Sequence, residues 1–451
     1  MLTIGNGAFH PSKCFLLGLS LVVGGFSCLV RKAEVTSASS KKKGNVAISA
    51  SQIEVELKSC LDSLRMNRAK MEGTEFPFVH DIKNTSRNLV VIGDIHGSLK
   101  SLNSALVAAG LVRPEIVDFK TQDLAVDTIE ETIKWIGKDT TLVFTGDLIN
   151  KRDHSVKVIK TLLSLERQVN ENPAFNSQVI ALAGNHEVGF MLEFDAGKYD
   201  MFYKELKKFV KDGIEEISLG KKSLESCELF TPDVKEVLDW IPKRPLVASV
   251  NGVFLSHSGF KDGNTLKDIS EYYQEFLQDP LKKPKKVLKK LSQICGNGDD
   301  LGGLVNRNVF WRDWQVVPED IEARQIIFGH DPSAFKSRNM IEGYFANQSP
   351  NTPPSGVIKV DVGMWEWEAG EARCDRAPVG TCPNEVAPKV KGQLLRCNKL
   401  NWHPNGGCRE FEVIDFSMMS NSPLQIKEPT TLKIQSGPPE KKEKPAAHSG
   451  C

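Results

Sequence analysis

Five short apolar runs in this chain end in the same kind of residue. NLVVI (88–92) leads into GDIHG, with Asp94 and His96. TLVFT (141–145) leads into Gly146 and Asp147, and VIALA (179–183) into GNHE, with Asn185, His186 and Glu187. VFLS (253–256) is followed by His257, and IIF (326–328) by Gly329 and His330. One histidine after a strand is more often structural than a ligand. Five strand ends supplied alike with Asp, Asn and His are hard to explain as packing, because strand C-termini are where open α/β sheets assemble their sites. Carboxylate, imidazole and amide oxygen are donors for hard and borderline divalent cations. Two neighbouring cations need an anionic ligand between them to relieve their repulsion, and Asp147, in the middle of the set, is the natural bridge. Glycines before Asp94, Asp147 and Asn185, and after His96, let the backbone turn sharply beside the ions. The expected cofactors are therefore two divalent metal ions, with manganese, iron and zinc all compatible with the donors.

The elements that must hold these residues follow from periodicity. After the first run, Leu99, Leu102, Leu106 and Ala109 recur at helical spacing, and after the second, Val156, Ile159 and Leu163 do. VIKVDV (357–362) and FEVIDF (411–416) are later strand-like runs. Strands alternating with helices, then more strands, predict a layered α/β domain in which two sheets pack between helices. Residues 33–85 are expected to be a linker and N-terminal extension, Ser/Lys-rich over 33–50 and helical over 51–70. The catalytic domain is expected over 86–418, with insertions at about 195–242, 279–300 and a Cys-containing 365–410. The stretch 195–242 reads as a helical cap, and 419–451 as a disordered tail. The basic run DPLKKPKKVLKK (279–290) reads as a solvated helix face, with an anionic partner or substrate as the sharper alternative.

With 451 residues the chain can form one large catalytic domain or two ordinary ones, and 40% apolar and 25% charged residues support a sizeable core. Fifty-eight Lys and Arg against 57 Asp and Glu give nothing that points to nucleic acid as a partner. CFLLGLSLVVGGFSCLV (14–30) carries no charge and is flanked by Lys13, Arg31 and Lys32. Residues 1–32 are therefore expected to be a signal peptide or a membrane anchor, giving a secreted or membrane-anchored protein of the secretory pathway. The following VTSASSKKK would suit the transit part of a bipartite plastid signal. Cys374, Cys382, Cys397 and Cys408 crowd near the C-terminus without a CxxC pair, which favours two disulfides over zinc. Sequons at Asn84 and Asn347 are compatible with export.

GDIHG, then GD some fifty residues on, then GNHE, then single histidines resembles the calcineurin-like metallophosphoesterase superfamily over roughly residues 86–416. Within it, ALVAAGLV (105–112), WIGKDTTLVFTGD (135–147), LLSLE (162–166), WIPKRPLVASVNGVFLSHSG (240–259), VFWRDW (309–314) and IKVDVGM (358–364) are similar to the Shewanella-like protein phosphatases. The resemblance implies an α-β-β-α sandwich of two sheets flanked by helices. It implies one metal held by Asp94, His96 and Asp147, and a second held by Asp147, Asn185, His257 and His330. A hydroxide held between the metals would attack phosphorus, with His186 protonating the leaving oxygen. Asn185, Lys151, Arg152 and Arg312 would contact the phosphate. Arg312 is also placed to pair with Asp313, and Trp311 and Trp314 read as core or pocket wall.

The sequence departs from the protein phosphatase pattern GDxxDRGxxS, since it reads GDLINKRDHS over 146–155. Asn150 stands where an aspartate orients the general acid, and a neutral amide cannot hold a protonated His186 by charge. Lys151 stands for an arginine, keeping the charge without the two-pronged grip. Arg152 replaces a glycine, and Asp153 is a shifted acid that could compensate. The Asn-Lys pair resembles the diadenosine-tetraphosphatase-like branch. The leading expectation is a phosphatase acting on phosphoprotein, at Ser/Thr or Tyr, or on another phosphomonoester. A dinucleoside polyphosphate or polyphosphate hydrolase is the second expectation, and a metal-binding pseudophosphatase the third.

Overall fold

The structure, a computed structural model, describes residues 50–69, 78–117, 125–193, 200–209, 227, 230–257, 266–278, 325–330, 343–344, 356–360, 390–418 and 423–433. The leader-like 14–30, the basic 279–290, Arg312, Asn347, Cys374 and Cys382 lie outside them. No described helix is long and apolar enough to cross a membrane.

In chain order the main elements are α1 (Ala50–Ala69), β1 (Val79–Ile82), β2 (Asn88–Ile92), α2 (Leu99–Ala108), the single turn α3 (Ile129–Thr132) and β3 (Thr140–Phe144). Then come α4 (Ser155–Glu171), β4 (Gln178–Ala181), α5 (Asn185–Glu193), α6 (Asp200–Lys207), α7 (Pro232–Trp240), β5 (Val247–Val250), β6 (Val253–Ser256) and α8 (Leu266–Gln278). The chain continues with β7 (Gln325–Phe328), β8 (Gly343–Tyr344), β9 (Gly356–Lys359), β10 (Val390–Cys397), β11 (Glu410–Met418), β12 (Gln425–Ile426) and β13 (Thr430–Lys433).

These strands form two sheets. One runs β1-β5-β6-β7-β9-β8; the other runs β12-β11-β10-β2-β3-β4, with β13 also paired to β11. Strand periodicity explains how they stack. On β2, Leu89 and Val91 point one way, into a buried cluster with Val143, Ile180 and Leu395 of their own sheet and Ala248, Val250, Leu255, Ile327 and Ile358 of the other. Val90 and Ile92 point the other way, into a cluster with Leu102 and Leu106 of α2 and Ile159 and Leu162 of α4. The second sheet turns Val247, Phe254 and Ile326 to a cluster that includes Leu57, Tyr273 and Leu277 from α1 and α8. The result is the layered arrangement of helix, sheet, sheet and helix.

The sheets reach beyond the 86–418 boundaries read from sequence. β1 pairs in parallel with β5, and β12 and β13 pair with β11. Residues 390–410, read as part of an insertion, contain β10, which joins β2 to β11 inside the sheet. Lys391, Gln393 and Arg396 break up that strand's apolar pattern, so its interior place depends on partners far away in sequence. The helix expected over 51–70 is present, but it is not peripheral. Leu57, Cys60 and Leu61 are buried, α1 packs on α7 and α8, and Cys60 is disulfide-bonded to Cys227. Cys397 and Cys408 form a second disulfide inside the inter-sheet core.

The Cys60–Cys227 bond closes a loop with a sequence separation of 167, which contains β2, β3 and β4. Closing so long a loop restricts the unfolded chain, and Cys60→Ser is expected to cost about 2–4 kcal/mol of stability. Urea denaturation of variant and wild type, with and without reductant, checks this: reductant should bring the wild type down toward the variant.

Candidate metal centre

All five strand ends converge. β2, β3 and β4 are parallel neighbours in one sheet, and β6 and β7 are parallel neighbours in the other. Their C-terminal ends deliver Asp94 and His96, Asp147, Asn185 and His186, His257 and His330 to one place. Donor atoms of Asp94, Asp147, His257 and His330 lie within 4.8 Å of one another, as do those of His96, Asp147 and His186. Asp147 belongs to both groups, as a bridging ligand must. His96 Nε2 is 3.4 Å from Asp147 Oδ2 and 3.8 Å from Asp94 Oδ2. His257 Nε2 is 3.3 Å from Asp147 Oδ1 and 3.0 Å from His330 Nδ1.

The ring tautomers suit metal binding. His257 Nδ1 faces the Thr145 carbonyl at 2.9 Å, and His96 Nδ1 faces that of Ile149 at 3.4 Å. A proton on each Nδ1 is held by a carbonyl, which leaves each Nε2 with its lone pair turned inward. The Asn185 amide oxygen completes the picture. It lies 2.9 Å from His257 Nε2, 3.1 Å from Asp147 Oδ2 and 3.1 Å from His330 Nδ1, all acceptors. Lone pairs converging in this way are relieved either by turning the amide N–H₂ of Asn185 inward or by a cation among them, and with the oxygen inward the donor set fits a divalent metal pair. Lys151 Nζ lies 2.7 Å from His96 Nε2, with its ammonium turned toward the same centre.

Charge follows burial. Asp94, His96, Asp147 and His257 are buried, while Asn185, His186 and His330 are half-buried. Burial alone would raise the Asp147 carboxyl, but His257, His186, His96 and His330 outweigh it and hold Asp147 well below the usual carboxylate range. Burial lowers His96 far below its ordinary value, helped by Lys151, and burial also lowers His257. An ionised Asp147 and imidazoles of lowered basicity at His96 and His257 suit metal ligation.

The backbone is bent to make this possible. His96, Asp147, Asn150, Lys151 and His330 all have positive φ, between 49° and 72°, a costly conformation for residues with side chains. At Gly184 and Gly329 the limit is space: a Cβ would overlap the Asp147 carboxylate at the first and the Asp94 carboxylate at the second.

Two carboxyls behind the ligands were not assigned roles from sequence. Glu187, fully buried, takes Gly184 N–H at 2.8 Å and Asp147 N–H at 3.0 Å on Oε2, and Leu148 N–H at 2.8 Å and Ile149 N–H at 3.1 Å on Oε1. It fixes the strained turn that presents Asp147. Burial first, then repulsion from Asp147, pushes its pKa up to about 7 against these donors. The final position of GNHE was the available signal, but nothing local says that its glutamate reaches back to residues 147–149. Glu205, on α6, accepts from Val156 N–H at 2.9 Å, and burial pushes its pKa up to about 8. No sequence motif marks it.

The expected phosphate contacts are divided. Lys151 faces the centre. Arg152 enters through its backbone, whose N–H donates to the carbonyls of His96 at 3.0 Å and Asn150 at 2.8 Å. Asn150 does meet the general-acid candidate: its Nδ2 is 3.2 Å from His186 Nδ1. Asp153, the shifted acid, instead has Oδ1 3.1 Å from His154 Nδ1 and is 61% exposed.

Residues 87–334 match the calcineurin-like phosphoesterase family. The chain is 30% identical over 146 residues to the symmetrical bis(5'-nucleosyl)-tetraphosphatase of Paraburkholderia phymatum, covering 32% of this chain and 41% of that protein. It is 27% identical over 100 residues to Shewanella-like protein phosphatase 2 of Arabidopsis thaliana, covering 22% and 20% respectively. The chain thus spans less than half the length of these relatives. Among solved structures, a cold-active protein-tyrosine phosphatase of a psychrophilic Shewanella species aligns over 80% of this chain and 85% of that one, at 15% identity and a TM-score of 0.41.

Two outcomes test these supports. Glu187→Gln places an amide N–H₂ against backbone donors, and should weaken manganese binding about 10–100-fold by calorimetry while every ligand stays in place. For Glu205 the sign follows from its raised value. The folded state keeps a proton that the unfolded chain releases, so stability falls as pH rises from 4.5 to about 8. In chelator, the urea midpoint of Glu205→Gln relative to wild type should therefore shift in the variant's favour from pH 5 to pH 8.

Proposed function

Because this chain belongs to the calcineurin-like phosphoesterase family, we propose that it is a metal-dependent phosphatase that hydrolyses phosphomonoesters, with phosphoproteins as the leading substrate class. The observation that carries this reading is the convergence of Asp94, His96, Asn185, His257 and His330 around the shared carboxylate of Asp147. Two divalent cations held there would activate water for attack on phosphorus and balance charge on the phosphoryl oxygens. The protein's own residues account for the rest. His186, half-buried and donating its backbone N–H to Asp147 Oδ1 at 2.9 Å, would protonate the leaving oxygen. Its ring stands edge-on to His96 with centroids 4.7 Å apart, which fixes it beside the centre. Lys151 supplies the nearby cation for a phosphoryl oxygen. The disulfides Cys60–Cys227 and Cys397–Cys408 support a working place in an oxidising compartment, in keeping with the leader-like 14–30.

A second reading rests on Asn150. Its amide orients His186 Nδ1 but adds no negative charge to favour a protonated ring. Leaving groups that need little protonation, such as the phosphates of a phosphoanhydride, suit that arrangement. The similarity to a bis(5'-nucleosyl)-tetraphosphatase supports the same alternative.

Phosphopeptides, diadenosine tetraphosphate and polyphosphate offered in parallel with manganese separate the readings. Cleavage of phosphopeptides is expected; cleavage of anhydrides alone would transfer the assignment to the second reading. Asn150→Asp is expected to raise turnover of phosphomonoesters about tenfold or more, within the range that general-acid catalysis contributes. An unchanged rate would show that proton donation by His186 does not limit the reaction.

A further inference from the structure

Helix α4 starts immediately after the loop that carries Asn150 and Lys151, and its own N-cap residue, His154, makes no side-chain cap. The first N–H groups of a helix need partners from elsewhere when the residue at that position supplies none. Here the partner comes from α6, inside the stretch read as a cap insertion. Glu205 is 4% exposed, and its carboxyl accepts from the N–H groups of Ser155 and Val156, the latter at 2.9 Å.

Ser155 passes the constraint on. Its Oγ accepts the Asn150 N–H at 3.1 Å, and Asn150 in turn meets His186. The same loop is tied to the first motif, with Arg152 N–H on His96 O at 3.0 Å and His154 N–H on Gly97 O at 3.2 Å. α6 also touches the helix that carries His186. Phe202 packs on Phe190 of α5, centroids 4.8 Å apart, and α5 begins with Asn185 and His186. Phe202 and Leu206 are fully buried, so α6 is firmly seated. Lys208 and Asp153 are the charged neighbours acting on Glu205, with opposite effects.

We propose that Glu205 is a positioning residue, through which the inserted helix α6 sets the Asn150–Lys151 loop against His186 by way of the α4 N-terminus. This rests on the reading of the site as a phosphatase centre. A displacement of the loop by an ångström misaligns His186 with the leaving group, a scale of error that can cost a hundredfold in rate. Glu205→Ala removes the acceptor, whereas Glu205→Gln keeps an oxygen for the helix N–H groups and resembles the neutral acid.

The test compares wild type, Glu205→Ala and Glu205→Gln, as full chains with manganese, on phenyl phosphate and on 2,4-dinitrophenyl phosphate, whose leaving group needs little protonation. Glu205→Ala should lower kcat about 10–100-fold on phenyl phosphate, by a clearly smaller factor on the dinitrophenyl ester, and leave manganese affinity unchanged. Glu205→Gln should stay within about threefold of wild type on both. Hydrogen exchange of residues 150–156 should speed up in the alanine variant and not in the glutamine variant. Equal losses on both esters, a glutamine variant as impaired as alanine, or unchanged exchange would overturn the inference alone. A wild-type protein inert on both esters would overturn the phosphatase reading and the inference with it.

Discussion

A buried carboxylate that must stay charged organises this molecule. Asp147 lies almost out of contact with water, where burial opposes ionisation, and four imidazoles crowd round it. Each imidazole comes from a different strand end, so the two sheets must stack with those ends together before the carboxylate has its partners. The donor atoms then point their lone pairs at common centres, an arrangement that cations stabilise. The positive φ angles at His96, Asp147, Asn150, Lys151 and His330 show the backbone strained to the same end.

Strain of this kind persists only if the surroundings over-determine it. Glu187 does so for residues 147–149, taking four backbone N–H groups on two oxygens. Glycines at 184 and 329 do so by leaving room for two carboxylates where any side chain would intrude. Glu205 extends the support outward, from the loop to α4 and then to α6. The candidate site is therefore layered: donor residues on strand ends, the buried carboxyl of Glu187 behind Asp147, and α6 behind the loop over 150–154.

The loop over 150–154 shows how chemistry and scaffold divide. Its backbone is zipped to the His96–Gly97 turn and is as constrained as the ligands. Its side chains are where this chain departs from the protein phosphatase pattern. The amide of Asn150 lies against His186 without carrying a charge, while Asp153 is exposed beside His154 and does not replace it. In the reaction proposed for this site, leaving-group preference, more than the type of reaction, is what this substitution would bear on.

The sequence alone determined the layers and pointed to the candidate donor residues. Strand runs such as NLVVI and VFLS ended where periodicity placed them, and Asp, Asn and His followed directly, because a ligand at a strand end is a local feature of strand, turn and glycine. The tertiary structure decided what no local pattern encodes. Glu187 reaches back some forty residues and Glu205 about fifty, and Cys60 pairs with Cys227 across 167. β10 enters the middle of a sheet from beyond residue 389, carrying polar residues that gave it no strand-like alternation. In each case the partner is chosen by the packing of elements distant in the chain, and that information exists only once the two sheets have closed on each other.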